Sequence, residues 1–149
     1  MKHTTTLHLL LVLTFITAGL NLISHSGTAL LQPQMRQMVE QTPNLVPEAA
    51  RTYMDMYLAM PRLYFAGMAL LYALELTGAV LMWQVKANGF HCYTLSRLLL
   101  LLVPLLFLGR DFVQLGDVMF ALLFIVTYWL ILKNLGAFGN KEGDGAAVS

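Results

Sequence analysis

Residues Leu63–Val85 read LYFAGMALLYALELTGAVLMWQV, an unbroken run of about 23 residues in which Glu75 is the single charge and Trp83 stands near the far end. A helix rises roughly 1.5 Å per residue, so a run of this length crosses the roughly 30 Å of hydrocarbon in a bilayer. Trp83 then falls where indole rings favour the membrane–water boundary.

The remainder of the chain has the same character: 58% of its 149 residues are hydrophobic, 11% are charged, and the mean hydropathy is +0.66. Such values lie outside the range of ordinary soluble domains, and the length allows one domain with four or so crossings. The block Leu7–Ile23 follows Lys2 and His3 and is apolar apart from His8, Thr14, Thr17, Gly19 and Asn21. It is longer than the roughly 7 to 15 apolar residues of a signal peptide and has poor cleavage sites, which predicts a retained crossing. Leu98–Leu108 is aliphatic or aromatic except for Pro104, and Arg97 and Arg110 bracket it closely. A helix from about Tyr93 to Arg110 accommodates this, with Arg97 an interface anchor whose stem snorkels outward and Pro104 a kink. Phe112–Leu135 is the last block, with Asp117 one to two turns in and Tyr128 and Trp129 near Lys133. The reading is therefore an all-α, integral membrane four-helix bundle. Its single transmembrane domain, residues 1–135, has spans at about 7–27, 63–85, 94–110 and 112–135, followed by a small, polar, disordered tail at 136–149.

Between the first two spans, residues 32–62 carry Pro33, Pro43, Pro47 and Pro61, three arginines and three acidic residues. Met35, Met38 and Val39 recur at helical spacing, and Tyr53, Met56, Tyr57 and Met60 share one face of the segment from Glu48 to Met60. Two short amphipathic helices follow, lying at the bilayer surface or capping the bundle. Lys86-Ala87-Asn88-Gly89 reads as a break, because Asn-Gly ends a helix at positive φ.

With the N-terminus in the cytoplasm, the inner charges are Lys2, Lys86, Arg97, Lys133 and Lys141, and the outer ones Arg36, Arg51, Arg62 and Arg110. Five against four, with the five in short segments, places both termini in the cytoplasm.

Glu75 is the sharpest polar feature. About twelve residues into its span it lies on the order of 18 Å deep, where an isolated carboxylate is costly and must face the interior, be protonated or find a partner. Glu75, with Tyr72 one turn away, is therefore a candidate intramembrane ion or proton site. Arg110, Asp111 and Asp117 make a candidate polar mouth at the second hairpin, in which an Arg110–Asp117 pair lowers the cost of Asp117. Glu75 and Asp117 differ in depth by roughly 10 Å, too far for direct bridging. On the opposite side of the helix, Ala69, Ala73 and Thr77 form a small-x-x-x-small packing stripe.

Other chemistries find little support. Met35, Met38, Met54, Met56 and Met60, with His25, would suit copper(I), but a Met and Tyr stripe at helical spacing reads first as packing, and no metal is assigned. No histidine pair shares a depth suited to haem, and no cofactor is expected. Cys92 is alone, which rules out an internal disulfide or dithiol relay. No phosphate loop, His-Glu-x-x-His or G-x-S-x-G stands in the sequence. A net charge of +1 gives no basic stripe for nucleic acid, so the lipid bilayer is the partner that composition demands, with other membrane proteins or a second copy beside it.

The linker Lys86-Ala87-Asn88-Gly89-Phe90-His91-Cys92-Tyr93 resembles the Lys-x-x-Gly-Phe-x-x-Tyr turn of small four-span bacterial membrane proteins of uncharacterised function. That resemblance implies a bacterial inner-membrane setting and carries over no active-site residue. The functional reading is a non-enzymatic accessory or interaction subunit. Two alternatives stand beside it: a small solute, ion or proton transporter using Glu75, and a membrane enzyme acting on a lipid headgroup.

Overall fold

The Leu63–Val85 run forms helix α3, Arg62–Trp83, in a computed structural model that describes residues 2–42, 47–109 and 115–138. It is the central element: it packs extensively against α1, Lys2–Gln41, and α4, Ala87–Leu108, whereas α5, Leu115–Asn134, touches α4 and α1 only lightly. The short helix α2, Glu48–Ala59, lies between α1 and α3 in the chain. Four helices are long and apolar enough to cross a bilayer, so the chain is an all-α, multi-pass membrane bundle. Leu9, Leu20, Leu70, Leu106 and Leu123 stand exposed around it, as side chains facing lipid do. Trp83 stacks on His8 at 4.4 Å, and Lys133 sits 5.0 Å above the Trp129 ring, putting both indoles at one end of the bundle.

The first crossing and the excursion differ from the sequence reading. α1 is a single helix of 40 residues, about 60 Å long, and it passes through Pro33 without ending. The first of the two expected short helices is therefore its outer end. Proline inside a helix deletes one hydrogen bond and crowds the previous turn, but here the flanking side chains are engaged elsewhere. Gln32 Nε2 donates to the Leu58 and Met60 carbonyls at 2.8 and 2.6 Å, and Arg36 Nε donates to Leu58 at 2.9 Å. These carbonyls end α2, where backbone acceptors lack helical partners and a cation is favoured. α2 is amphipathic, but rotated from the expected face. Leu58 is buried, Tyr57 and Met60 pack beside Tyr64, Phe65, Met68 and Leu100, and Tyr53 and Met56 face outward.

The turn between α3 and α4 also differs. Asn88 and Gly89 lie in the first turn of α4, and the positive φ, 57°, falls on Val85. Lys86 N–H donates to Leu81 at 3.1 Å and Val85 N–H to Met82 at 2.9 Å, a Schellman cap with valine in the position that glycine usually holds. The same cap ends α5 around Gly136, at φ 77°, and leads Phe138 edge-on to Phe90 at 5.7 Å. Gly136–Phe138 thus turns back onto the bundle; the rest of the expected tail lies outside the described residues. Gly89 serves close approach instead of a turn. A Cβ on it would lie 2.5 Å from the Met82 nitrogen, and one on Gly78 would lie 2.6 Å from the Tyr93 nitrogen. The intimate α3–α4 seam therefore runs through Gly78 and Gly89; of the stripe expected to pack, Ala69 is buried and Thr77 is exposed.

α4 starts seven residues before the expected boundary at 94. Arg97, eleven residues in from Leu108, is a mid-span residue and no interface anchor. Removing it from the inner set leaves Lys2, Lys86, Lys133 and Lys141 against Arg36, Arg51, Arg62 and Arg110, four against four, and the charge count no longer separates the two sides.

The seam gives a direct test. Gly78→Ala and Gly89→Ala should each lower stability by about 1–3 kcal/mol, because backbone atoms on the partner helix must move. Gly67→Ala, in the same membrane-crossing α3 but with open space around it, should be neutral or stabilising. Thermal unfolding of the detergent-solubilised variants checks the contrast.

Candidate functional site

The α3–α4 hairpin decides what Glu75 meets. Glu75 stands nine residues before Gln84 and Arg97 eleven after Lys86, so folding about that turn brings the two charges to the same level of neighbouring helices. Glu75 is fully buried, and its Oε1 lies 3.1 Å from Arg97 Nη1. The same nitrogen donates a long hydrogen bond of 3.4 Å to Oε2. One guanidinium nitrogen therefore serves both carboxylate oxygens. Of the three outcomes open to an intramembrane acid, the structure holds the partnered one, with a residue that the sequence reading had assigned to the interface.

Glu75 is sealed, but Arg97 is not: its side chain keeps 26% of its surface accessible. That surface faces a cavity of about 360 Å³ whose walls come from all four spans. α1 contributes Asn21, α3 Met68 and Tyr72, α4 Arg97, Leu100, Leu101 and Pro104, and α5 Asp117, Phe120 and Ala121. Tyr72, one turn from Glu75, is partly buried and has the His25 ring 5.3 Å away. His25 Nδ1 is 2.9 Å from the Asn21 carbonyl, which fixes that ring along α1. Asp117 is exposed in the first turn of α5, where the helix dipole favours an anion. It does not touch Glu75. The cavity connects Asp117 to the partner of Glu75.

Deeper in the bundle polar groups meet across the helices. Thr14 and Tyr128 share a buried hydrogen bond of 2.8 Å between α1 and α5, and Tyr93 meets Tyr128 edge-on at 5.0 Å. The Thr94 hydroxyl is buried with no hydrogen-bond partner. Of the expected polar mouth, Asp117 is described and lines the cavity, whereas Arg110 and Asp111 lie outside the described residues. Among the described residues no cluster of three or more His, Cys, Asp and Glu side chains is placed to hold a metal.

Sequence reasoning reached Glu75, Tyr72 and Asp117 and missed Arg97 and Asn21. For Arg97 the signal was present: opposite charges stand at similar distances from one break. Asn21 offered only its polarity in an apolar run.

The chemistry open to this arrangement is binding in a low-dielectric interior. Arginine has five N–H donors, and the contacts with Glu75 use only Nη1. Tyr72, Asn21 and Asp117 add a hydroxyl, an amide and a carboxylate. No protein-family model, curated protein or solved structure matches this chain.

Arg97→Gln leaves Glu75 buried without its counter-charge and should destabilise the bundle by about 3–5 kcal/mol, whereas the double variant Glu75→Leu/Arg97→Met should recover most of that loss. Unfolding in detergent, read as a double-mutant cycle, measures the coupling.

Proposed function

We propose that this multi-pass membrane protein is a non-enzymatic bundle that binds a small polar solute inside the membrane, as a carrier or a receptor for it. The observation that carries the reading is the cavity beside Arg97, to which each of the four spans contributes a wall. Isolated crossings have no reason to surround polar side chains with empty space, and intramembrane charges that line a cavity mark solute pathways. Glu75 in this reading is a positioning residue. It holds the Arg97 guanidinium in place, and Arg97, Tyr72, Asn21 and Asp117 face the solute. The setting we assign is a bacterial inner membrane, on the resemblance of the Lys86–Tyr93 turn.

A second reading, an accessory or interaction subunit, is favoured by a different observation. α5 is held only lightly, and it carries an apolar groove along Gly116, Met119, Phe120, Leu122, Leu123 and Val126 into which a further helix would pack through the small residue Gly116.

Thiol labelling separates the cavity from lipid. Leu101 lines the cavity, and its neighbour Leu102 is exposed on the outer surface. Charged methanethiosulfonates react with thiolates, which form in water and not in hydrocarbon. In a Cys92→Ser background, Leu101→Cys should react several times faster than Leu102→Cys in proteoliposomes. Equal inertness of the two would mean a dry interior, and the solute-binding reading would be abandoned.

A further inference from the structure

Charge and backbone chemistry narrow what the cavity takes. Glu75 and Arg97 cancel, and Asp117 remains as an uncompensated anion with no ion-pair or hydrogen-bond partner among the described residues. Among the described lining residues, Asp117 is therefore the carboxylate left to meet a ligand, at the exposed first turn of α5. A second feature adds to this. Pro104 has no amide hydrogen, so the Leu100 carbonyl, four residues earlier, lacks its usual helical donor, and both residues line the cavity. The lining residues Asp117, Tyr72 and Asn21 add a carboxylate, a hydroxyl and an amide oxygen.

These acceptors are too few, and too mixed with carbon, to replace the hydration shell of a hard metal cation, which takes six or so oxygens. Met68, Leu101 and Phe120 make much of the remaining wall apolar. An anion would meet an arginine already neutralised by Glu75 and a carboxylate opposite. A protonated amine on a small apolar body meets both requirements: its N–H groups need oxygens, its charge balances Asp117, and the Tyr72 and Phe120 rings suit a cation and a hydrocarbon alike. From the Asp117 carboxylate, the Pro104-released carbonyl and this lining, we infer that the cavity binds a monovalent organic ammonium of modest size. The inference rests on the solute-binding reading and names its ligand class.

Three probes of nearly equal shape and different charge test it: phenethylammonium, 2-phenylethanol and phenylacetate, each titrated at constant ionic strength against the full chain in nanodiscs. Phenethylammonium should raise the unfolding temperature saturably and protect Leu101→Cys from labelling, and the neutral and anionic probes should not. Asp117→Asn, at an exposed position that does not disturb packing, should weaken the cation on the order of tenfold. Pro104→Ala, which restores a donor to Leu100, should make the protein more stable and bind the cation less tightly. Stabilisation by phenylacetate equal to that by phenethylammonium, or an Asp117→Asn variant with undiminished cation binding, overturns the inference. So does equal stabilisation by added sodium chloride alone. If Leu101→Cys labels rapidly and phenethylammonium neither stabilises nor protects, the ammonium assignment fails while the wet cavity stands; if Leu101→Cys does not label, both fall together.

Discussion

A carboxylate at the centre of a bilayer-spanning helix has no water to solvate it, and the arrangement of α3 and α4 follows from how Glu75 escapes that penalty. Its charge is met by Arg97 at 3.1 Å, from the adjacent helix of the same hairpin. For two side chains to meet at that depth the hairpin must close tightly and in a single register, and Gly78 and Gly89 allow this by bringing backbone against backbone nearer the turn. The ion pair and the glycine seam are thus two parts of one constraint. A slip of one residue along the seam would put a Cβ into the partner's backbone and draw Arg97 away from Glu75. Buried pairs are weak contributors to stability compared with well-packed apolar side chains, but they discriminate strongly against alternatives that leave one member unpaired.

The same constraint explains which parts of the structure could be read from the residues. Helices of membrane length declare themselves through composition, because every lipid-facing position must be apolar and the backbone must satisfy itself internally. The all-α bundle and its four crossings needed nothing beyond that. Glu75 was conspicuous for the same reason, as an exception within an apolar run. Arg97 was misjudged because an arginine next to an apolar block usually marks the block's end, and a local rule of that kind has no access to the partner on another helix. Once Arg97 was assigned to the interface, the third span began too late, and the charge count for orientation acquired a residue that belongs to the interior. The Asn88-Gly89 dipeptide was misjudged in a related way. Glycine is compatible both with positive φ and with close packing, and only the neighbouring helix determines which property is used.

The excursion after the first span shows the opposite error, in which a local signal was given too much authority. Four prolines suggested a broken segment, but Pro33 sits within a helix that continues to Gln41. What holds that overhang is tertiary: Gln32 and Arg36 donate to carbonyls that close α2, so the outer end of α1 and the end of α2 satisfy one another. The rotation of α2 about its axis has the same origin. Tyr57, Leu58 and Met60 turn inward because the aromatic cluster around Phe65 lies there, and no periodicity within twelve residues could reveal that direction.

The unequal packing of the helices bears on what the interior can do. α1 and α4 each pack along α3, while α5 is attached near its far end by the Thr14–Tyr128 hydrogen bond and the Tyr93–Tyr128 ring contact. Toward the other end, Asp117, Phe120 and Ala121 share the cavity with Leu100, Leu101 and Pro104. Asp117 is exposed and carries no packing, whereas Glu75 is buried between α3 and α4 and paired with Arg97, so the fold depends on it. Structure and binding are in this way assigned to different carboxylates, and Arg97, which touches one and shares a cavity with the other, is the residue through which they are joined.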